Sequence, residues 1–262
     1  MWAQLELLQA GPGRDHRPAL IAVAHGSRDP RSAATMSAVV AGIATARPDL
    51  DVRLAFLDLN TPSVEQVVDA VAAQGHTHAV VVPLLLGSAF HARVDLPGLL
   101  AAAHTRHPRL HLTQADVLGP DPRLISALRD RVLQASPEVG RLDRSGRTGI
   151  AVAAVGSSSS AANARTAEVA RRLAALTGWR TEICFATTEP TVTQAISRLR
   201  ARGAEHTLVA PWFLAPGLLT DRLVAAAPAV VHAQVIGPHP ALTDMVLDRY
   251  DIALTSTLSL SA

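Results

Sequence analysis

Lysine is absent from this chain of 262 residues, so all 24 of its basic residues are arginines. Without lysine, the protein has no side chain for Schiff-base chemistry and none to serve as the lysine of a phosphate-binding loop. The single cysteine, Cys184, excludes internal disulfides and an iron–sulfur cluster held by cysteines. We therefore expect a cytoplasmic protein whose chemistry uses other side chains.

Long apolar runs are also missing. No run approaches the ~20 residues that span a bilayer, so we expect no membrane association. The first residues lack the basic start and continuous apolar stretch of a signal peptide, and we expect residues 1–17 to form a flexible leader. The net charge is only +2, with arginines scattered among acids, which argues against nucleic-acid binding. Arginines beside a cleft would instead suit a small ligand with several carboxylates.

Short β-rich runs alternate with longer helical stretches along the chain. We predict strands at 19–24, 52–57, 79–83, 110–114, 150–155, 181–186, 206–210 and 230–235. A helix is predicted after each strand, for instance over 62–73, with Pro62 in its first turn. The alternation predicts an α/β fold with two similar lobes, each a parallel four-stranded sheet flanked by helices.

The two halves of the chain also resemble each other. The segment FLDLNTPSVEQVVDAVAAQGHTHAVVVPLLLG aligns with FATTEPTVTQAISRLRARGAEHTLVAPWFLA after a gap of one residue. Turn residues match in order, which indicates a duplicated unit rather than chance similarity. The predicted divisions are a leader at 1–17, an amino-terminal catalytic lobe at 18–135, a linker at 136–148 and a carboxy-terminal lobe at 149–262.

Three side chains that could bind a metal or transfer a proton follow successive strands of the first half. His25 follows the first strand, Asp58 ends the second, and His91 comes after the third, together with Arg93 and Asp95. The carboxyl ends of parallel strands face one crevice, and neighbouring strands lie ~4.8 Å apart. If the first strand lies between the second and third, two imidazoles and a carboxylate can converge there. That set suits a divalent transition metal.

Each of these residues also has a simpler explanation. A lone histidine after a strand is more often structural, and His91 could be a surface residue near a helix start. Asp58 could cap the turn before Pro62. The HGSRDP segment could serve only to start a helix, with Asp29 as the N-cap and Pro30 at the first helical position.

The second half lacks the same groups, because Val155 stands at the place of His25. His239 does fall at the carboxyl edge of the second half. However, Asp121 occupies its matching place in the first half, which argues against a fixed metal role for His239.

Three motifs occurring in order resemble a known family. VAHGSRDP, FLDLNTPSVEQ and VVVPLLLGSAFHARVDLP are similar to segments of the class II sirohydrochlorin chelatases of the CbiX/SirB type, and the resemblance covers nearly the whole chain. It implies a lyase-type enzyme that inserts Fe²⁺ or Co²⁺ into sirohydrochlorin during siroheme or cobalamin biosynthesis. It also implies that a cleft between the lobes receives the tetrapyrrole.

The resemblance further implies roles for individual residues. His25 and His91 match the family's metal-binding histidines, which also take part in proton removal. Asp58 stands where the family usually has a glutamate and is one methylene shorter. We expect Ser27, Arg28 and Arg93 to bind the substrate.

The second lobe is implied to be a degenerate repeat without the metal histidines. The metal is then a substrate, and we expect no permanently bound cofactor. The expected partner is the small molecule sirohydrochlorin, and the protein is expected to be a monomer or a homodimer.

Two other functions fit the same residues. A metal or tetrapyrrole carrier would bind its cargo without chemistry, since two lobes around a cleft are also the plan of solute-binding proteins. A metal-dependent hydrolase is less favoured, because the sequence shows no cluster of bridging carboxylates.

Overall fold

The computed structural model describes residues 17–87, 94–137, 139 and 147–260. Within them, two four-stranded parallel sheets carry the fold, as predicted. The first sheet contains β1 (Ala19–Ala24), β2 (Val52–Phe56), β3 (His78–Pro83) and β4 (His111–Gln114). The second contains β5 (Thr148–Ala154), β6 (Arg180–Phe185), β7 (His206–Pro211) and β8 (Val231–His232).

Eight helices follow these strands in the described part of the chain. In the first half they are α1 (Pro30–Ala46), α2 (Val64–Ala73), α3 (Leu96–Arg106) and α4 (Pro122–Ala135). In the second half they are α5 (Ser160–Thr177), α6 (Val192–Ala201), α7 (Leu218–Ala226) and α8 (Pro240–Leu260).

Strand β1 is apolar throughout because helices cover both faces of its sheet. Leu20 and Ala22 point into a core shared by both lobes, whereas Ile21 and Val23 point into a second core beneath α2 and α3. All six of its residues are buried. An apolar run without alternating polar residues is the pattern expected for a central parallel strand.

The strand order confirms the arrangement on which the predicted site depends. The order is β2-β1-β3-β4 in the first sheet and β6-β5-β7-β8 in the second. In the first sheet, β1 therefore lies between β2 and β3, with Ala24 opposite Phe56 and Val23 opposite Pro83. The chain segments that leave these three strands start side by side at one edge.

The last helix of each half packs on the sheet of the other half. Helix α4 contacts β7 and α5 of the second lobe, whereas α8 contacts β3, β4 and α1 of the first. The side chain of Tyr250 on α8 is fully buried, and its hydroxyl donates a hydrogen bond to the carbonyl of Pro18 at 2.6 Å. The inner faces of both sheets consequently belong to one continuous core.

Two sequence predictions were wrong in detail. Helix α2 begins at Val64 with Ser63 as its N-cap, and Pro62 lies outside it, because the Pro62 carbonyl accepts the N–H of Phe56 in the preceding turn. Strand β8 has two residues instead of the six predicted over 230–235. It is an edge strand whose continuation bonds to the loop after β7, where Ile236 N–H donates to the carbonyl of Phe213.

Among the helices of the described residues, none combines the length and apolar character needed to cross a lipid bilayer.

Candidate active site

The turn after β1 brings His25 beside Asp58. Asp58 N–H donates to the carbonyl of His25 at 3.0 Å, which continues the pairing of β1 with β2 by one step beyond the strands. Gly26 makes this approach possible, because it has a positive φ of 97° and a methyl group in place of its hydrogen would lie 1.8 Å from the Asp58 carbonyl oxygen. Both His25 and Asp58 are exposed at the edge of the sheet.

The rest of the HGSRDP turn is held by hydrogen bonds. Ser27 N–H donates to the side-chain oxygen of Asn60 at 2.7 Å, and Ser27 Oγ accepts the N–H of Asp29 at 3.1 Å. Asp29 accepts the N–H of Arg31 and caps α1, with Pro30 at its first position, as the sequence predicted. The simpler structural explanation therefore holds for Asp29, whose cap and hydrogen bonds order the turn that follows His25.

An ion-pair chain joins this turn to the second lobe. The guanidinium of Arg31 binds Asp29 and reaches Asp221 of α7, with Arg31 Nη2 2.6 Å from Asp221 Oδ2. Hydrogen bonds from Arg31 hold the pKa of Asp29 below its usual range. A methyl group on Gly217, just ahead of α7, would lie 3.9 Å from Ser27 Oγ. The two lobes thus meet beside the His25 turn.

A pocket of about 520 Å³ opens at this edge of the first sheet. Its polar lining consists of His25, Asp58 and Asp95, and its apolar lining includes Leu57, Val94 and Leu99. The sequence placed Asp95 after the third strand but assigned it no role. The sequence signal for Asp95 is the same as for the other candidates, because Asp95 lies between the carboxyl end of a strand and the helix that follows.

Asp58 also fulfils part of its simpler explanation. Its Oδ1 accepts the N–H of Leu59 at 2.7 Å, and its carbonyl accepts the N–H of Asn60 at 2.8 Å. The carboxylate thus orders its own turn while it lines the pocket. A carboxylate with a second oxygen beyond that bond retains acceptor capacity for a cation or a proton.

The remaining predicted site residues are not brought together by the described structure. His91 and Arg93 lie outside the described residues. Arg28 is exposed, and it forms no ion pair with any residue that the structure describes. No group of three histidine, cysteine, aspartate or glutamate side chains converges as a metal site within the described ranges. The paired-imidazole hypothesis therefore stays a prediction.

His239 in the second half has a structural role. Its Nδ1 accepts the N–H of Ala241 at 3.2 Å at the start of α8, as the Asp121 carboxylate accepts the N–H of Arg123 at the start of α4. Burial and the nearby Arg131 lower the pKa of His239.

Comparison with known proteins places the chain in a family. The CbiX family model matches residues 19–135 and 149–253. The sirohydrochlorin ferrochelatase of Priestia megaterium is 26% identical over 254 residues, covering 92% of both chains. The sirohydrochlorin cobaltochelatase of the same organism is also 26% identical, over 80% of this chain and 69% of its own length.

A solved structure supports the same placement. SirB from Bacillus subtilis with Fe³⁺ superposes with a TM-score of 0.76 at 25% sequence identity, covering 92% of this chain and 97% of that chain. The family match spans both lobes, and the similarity to SirB covers nearly the full length of each chain. The chain therefore belongs to the CbiX family.

Proposed function

We propose that this protein is a sirohydrochlorin chelatase, a lyase-type enzyme that inserts Fe²⁺ or Co²⁺ into sirohydrochlorin on the way to siroheme or cobalamin. The observation that carries the proposal is the pocket at the carboxyl edge of the first sheet, whose lining includes His25, Asp58 and Asp95. Relatives named for this reaction, with iron and with cobalt, match both halves of the chain.

The proposed reaction needs a donor for the metal and an acceptor for two pyrrole protons. His25 and His91 are the proposed metal ligands, since neutral imidazoles are borderline ligands that suit Fe²⁺ and Co²⁺. As the metal passes to the ring nitrogens, the imidazoles become available as bases for the pyrrole N–H protons. Asp58 offsets the charge of the dication from the side of the pocket.

The lining of the pocket also suits the removal of water from the metal ion. Leu57, Val94 and Leu99 provide apolar walls beside the polar groups. Closing the flat ring over these walls excludes water, which strengthens the attraction between the cation and the carboxylates.

Substrate binding is assigned to the residues around the pocket. Sirohydrochlorin carries eight carboxylates, and we propose that Arg28 and Arg93 bind those at the rim, because a guanidinium can hold a carboxylate with two hydrogen bonds. Ser27 is also proposed to bind the substrate, because its N–H donates to Asn60 of the neighbouring turn and its Oγ accepts the N–H of Asp29, while its hydroxyl hydrogen can still donate.

An anaerobic insertion assay tests the proposal. Purified protein is mixed with sirohydrochlorin and either Co²⁺ or Fe²⁺, and the change in the visible spectrum of the tetrapyrrole is followed. We expect many turnovers per enzyme, faster than the spontaneous reaction. Absence of acceleration with both metals would refute the proposal, and binding that stops at one equivalent without turnover would identify a carrier instead.

The same assay determines the preferred metal. The chain is 26% identical both to an iron and to a cobalt enzyme from one organism, over 92% and 80% of its length respectively. Both ions accept the same ligands, so preference depends on geometry and metal supply. Comparing both ions at equal concentration in one experiment measures this preference directly.

A further inference from the structure

Leu59 combines two features that are unfavourable for a folded protein. Its backbone has a positive φ of 64°, and it is the only residue other than glycine with positive φ among those described. This left-handed region is disfavoured for a residue with a Cβ atom. The apolar side chain is also 50% exposed.

The fold itself does not require this conformation, because the second lobe builds the matching turn without it. In the first lobe, Phe56 N–H donates to the Pro62 carbonyl, and in the second, Phe185 N–H donates to the Pro190 carbonyl. The first-lobe turn contains one more residue between these partners. The longer turn, with its left-handed leucine, thus belongs to the lobe that carries His25.

Leu59 lies between two residues that build the candidate site. Asp58 before it lines the pocket, and Asn60 after it accepts the N–H of Ser27. Val94, another large apolar residue with an exposure of 50%, lines the same pocket. An exposed leucine held in a strained conformation beside a binding pocket fits a residue that gains its partner only when a ligand arrives.

We propose that Leu59 is a substrate-contact residue whose side chain packs on the apolar face of the tetrapyrrole ring. This inference rests on the proposed function and names one part of its binding site. The ring of sirohydrochlorin is flat, with carboxylates confined to its periphery. The peripheral charges need arginines, whereas the face needs an apolar surface that is exposed before the substrate binds.

Two substitutions separate a contact role from a structural role. Leu59→Gly removes the side chain and relieves the backbone strain, and Leu59→Asn replaces it with a polar residue that tolerates the left-handed region. We expect both variants to be at least as stable to heat as the original protein. The KM for sirohydrochlorin should rise about five- to tenfold, the effect expected for losing the burial of half a leucine side chain.

Matched variants serve as controls. Leu59→Met keeps an apolar side chain in the same place, and its KM should stay close to that of the original protein. Leu176→Asn removes a leucine with a similar exposure of 47% at the end of α5, before β6 and therefore away from the carboxyl edge of the sheets. Its KM should not change. The KM for the metal ion should be unaffected in all four variants.

A titration without metal makes this inference testable separately from catalysis. The affinity for sirohydrochlorin, followed by its absorbance, should fall in Leu59→Gly and Leu59→Asn but not in Leu59→Met. Unchanged affinity and KM in the first two variants, or lower melting temperatures in both, would overturn the role of Leu59 while leaving the chelatase proposal intact. If the unaltered protein binds sirohydrochlorin but does not insert metal, only the chelatase proposal fails. If it does not bind, both fail.

Discussion

Gly26 determines how closely the His25 turn approaches the Asp58 turn. A Cβ atom at Gly26 would overlap the Asp58 carbonyl oxygen at 1.8 Å, and neither atom can rotate away, because the oxygen belongs to the backbone and the Cβ position is fixed by it. To relieve the overlap, the two turns would have to separate. That movement would displace two lining residues of the pocket at once.

The close contact between the two turns is tested by substituting Gly26 and, for comparison, a matched glycine. Gly75 has a similar positive φ of 86°, but a Cβ there would have no atom within 4 Å. Gly75→Ala should lower the free energy of unfolding by about 1 kcal/mol, the cost of the left-handed backbone alone. Gly26→Ala should cost clearly more and should also reduce metal insertion. Urea denaturation and the insertion assay measure both effects, and equal losses in the two variants would contradict the account.

Individual site residues could be located from the sequence only where the strand pattern fixed their position. His25 and Asp58 lie at the carboxyl edge as predicted, because each follows closely on the end of a strand, β1 at Ala24 and β2 at Phe56. The left-handed conformation of Leu59 was not predictable, because a leucine gives no local signal for a positive φ, although the extra residue in its turn shows as the one-residue gap between the two halves. The neighbouring positions of Asp95 and Val94 in the pocket depend on how α3 packs, which spacing alone does not determine.

At the scale of the elements, the duplication is visible in the way that two helices begin. Ser63 and Gln66 form a capping box at the start of α2, and Thr191 and Gln194 form the same box at the start of α6. In each, the hydroxyl accepts the N–H of the third helical residue, and the glutamine side chain accepts the N–H of the cap.

Removing either hydroxyl should therefore have the same effect in both lobes. Ser63→Ala and Thr191→Ala should each lower the free energy of unfolding by about 1 kcal/mol, because one backbone N–H at a helix start loses its acceptor. Chemical denaturation of both single variants and of the double variant measures this. Effects that are additive and of similar size are expected, and a loss confined to one lobe would argue against equivalent elements.

The order and type of the elements were predictable because the apolar strands and their flanking turns have strong local signals. The residues at which the elements begin and end were less predictable. Pro62 lies in a turn that is closed by a hydrogen bond from Phe56. Because Phe56 belongs to the preceding strand, the periodicity of the helix does not reveal this bond. The shortening of β8 comes from contacts with the loop after β7, and no local pattern encodes those.

At the scale of the whole molecule, the exchange of terminal helices makes the two lobes dependent on each other. Helix α8 supplies Tyr250 to a core formed with the first sheet and α1. The sequence repeat predicted two similar units, and it carried no signal for the helix exchange, which follows from long-range packing. The predicted division at residues 136–148 remains a prediction.

The only tyrosine of the chain reports on the docking of α8. Burial raises the pKa of Tyr250 to about 12, compared with about 10 in an unfolded chain. Because the folded state favours the neutral phenol, its contribution to stability is complete below pH ~10 and is lost as the pH rises towards ~12.

An alkaline titration tests the position of this tyrosine. Tyrosinate absorbance should appear well above pH ~10 while the far-UV circular dichroism remains native. The Tyr250→Phe variant should show no such absorbance change and provides the baseline. Titration near pH ~10 in the folded protein would mean that α8 does not bury its tyrosine against the first lobe.

A pair of histidine variants tests most directly whether metal insertion takes place at the carboxyl edge of the first sheet. His25 is exposed at that edge, whereas His206 is exposed at the amino end of β7, so neither fills core volume. The measurement is kcat/KM for Co²⁺ insertion in His25→Ala and His206→Ala, with the melting temperature of each. We predict a loss of about 100-fold in the first and an unchanged value in the second, with both variants stably folded. Full activity in His25→Ala, or an equal loss in His206→Ala, would contradict this prediction.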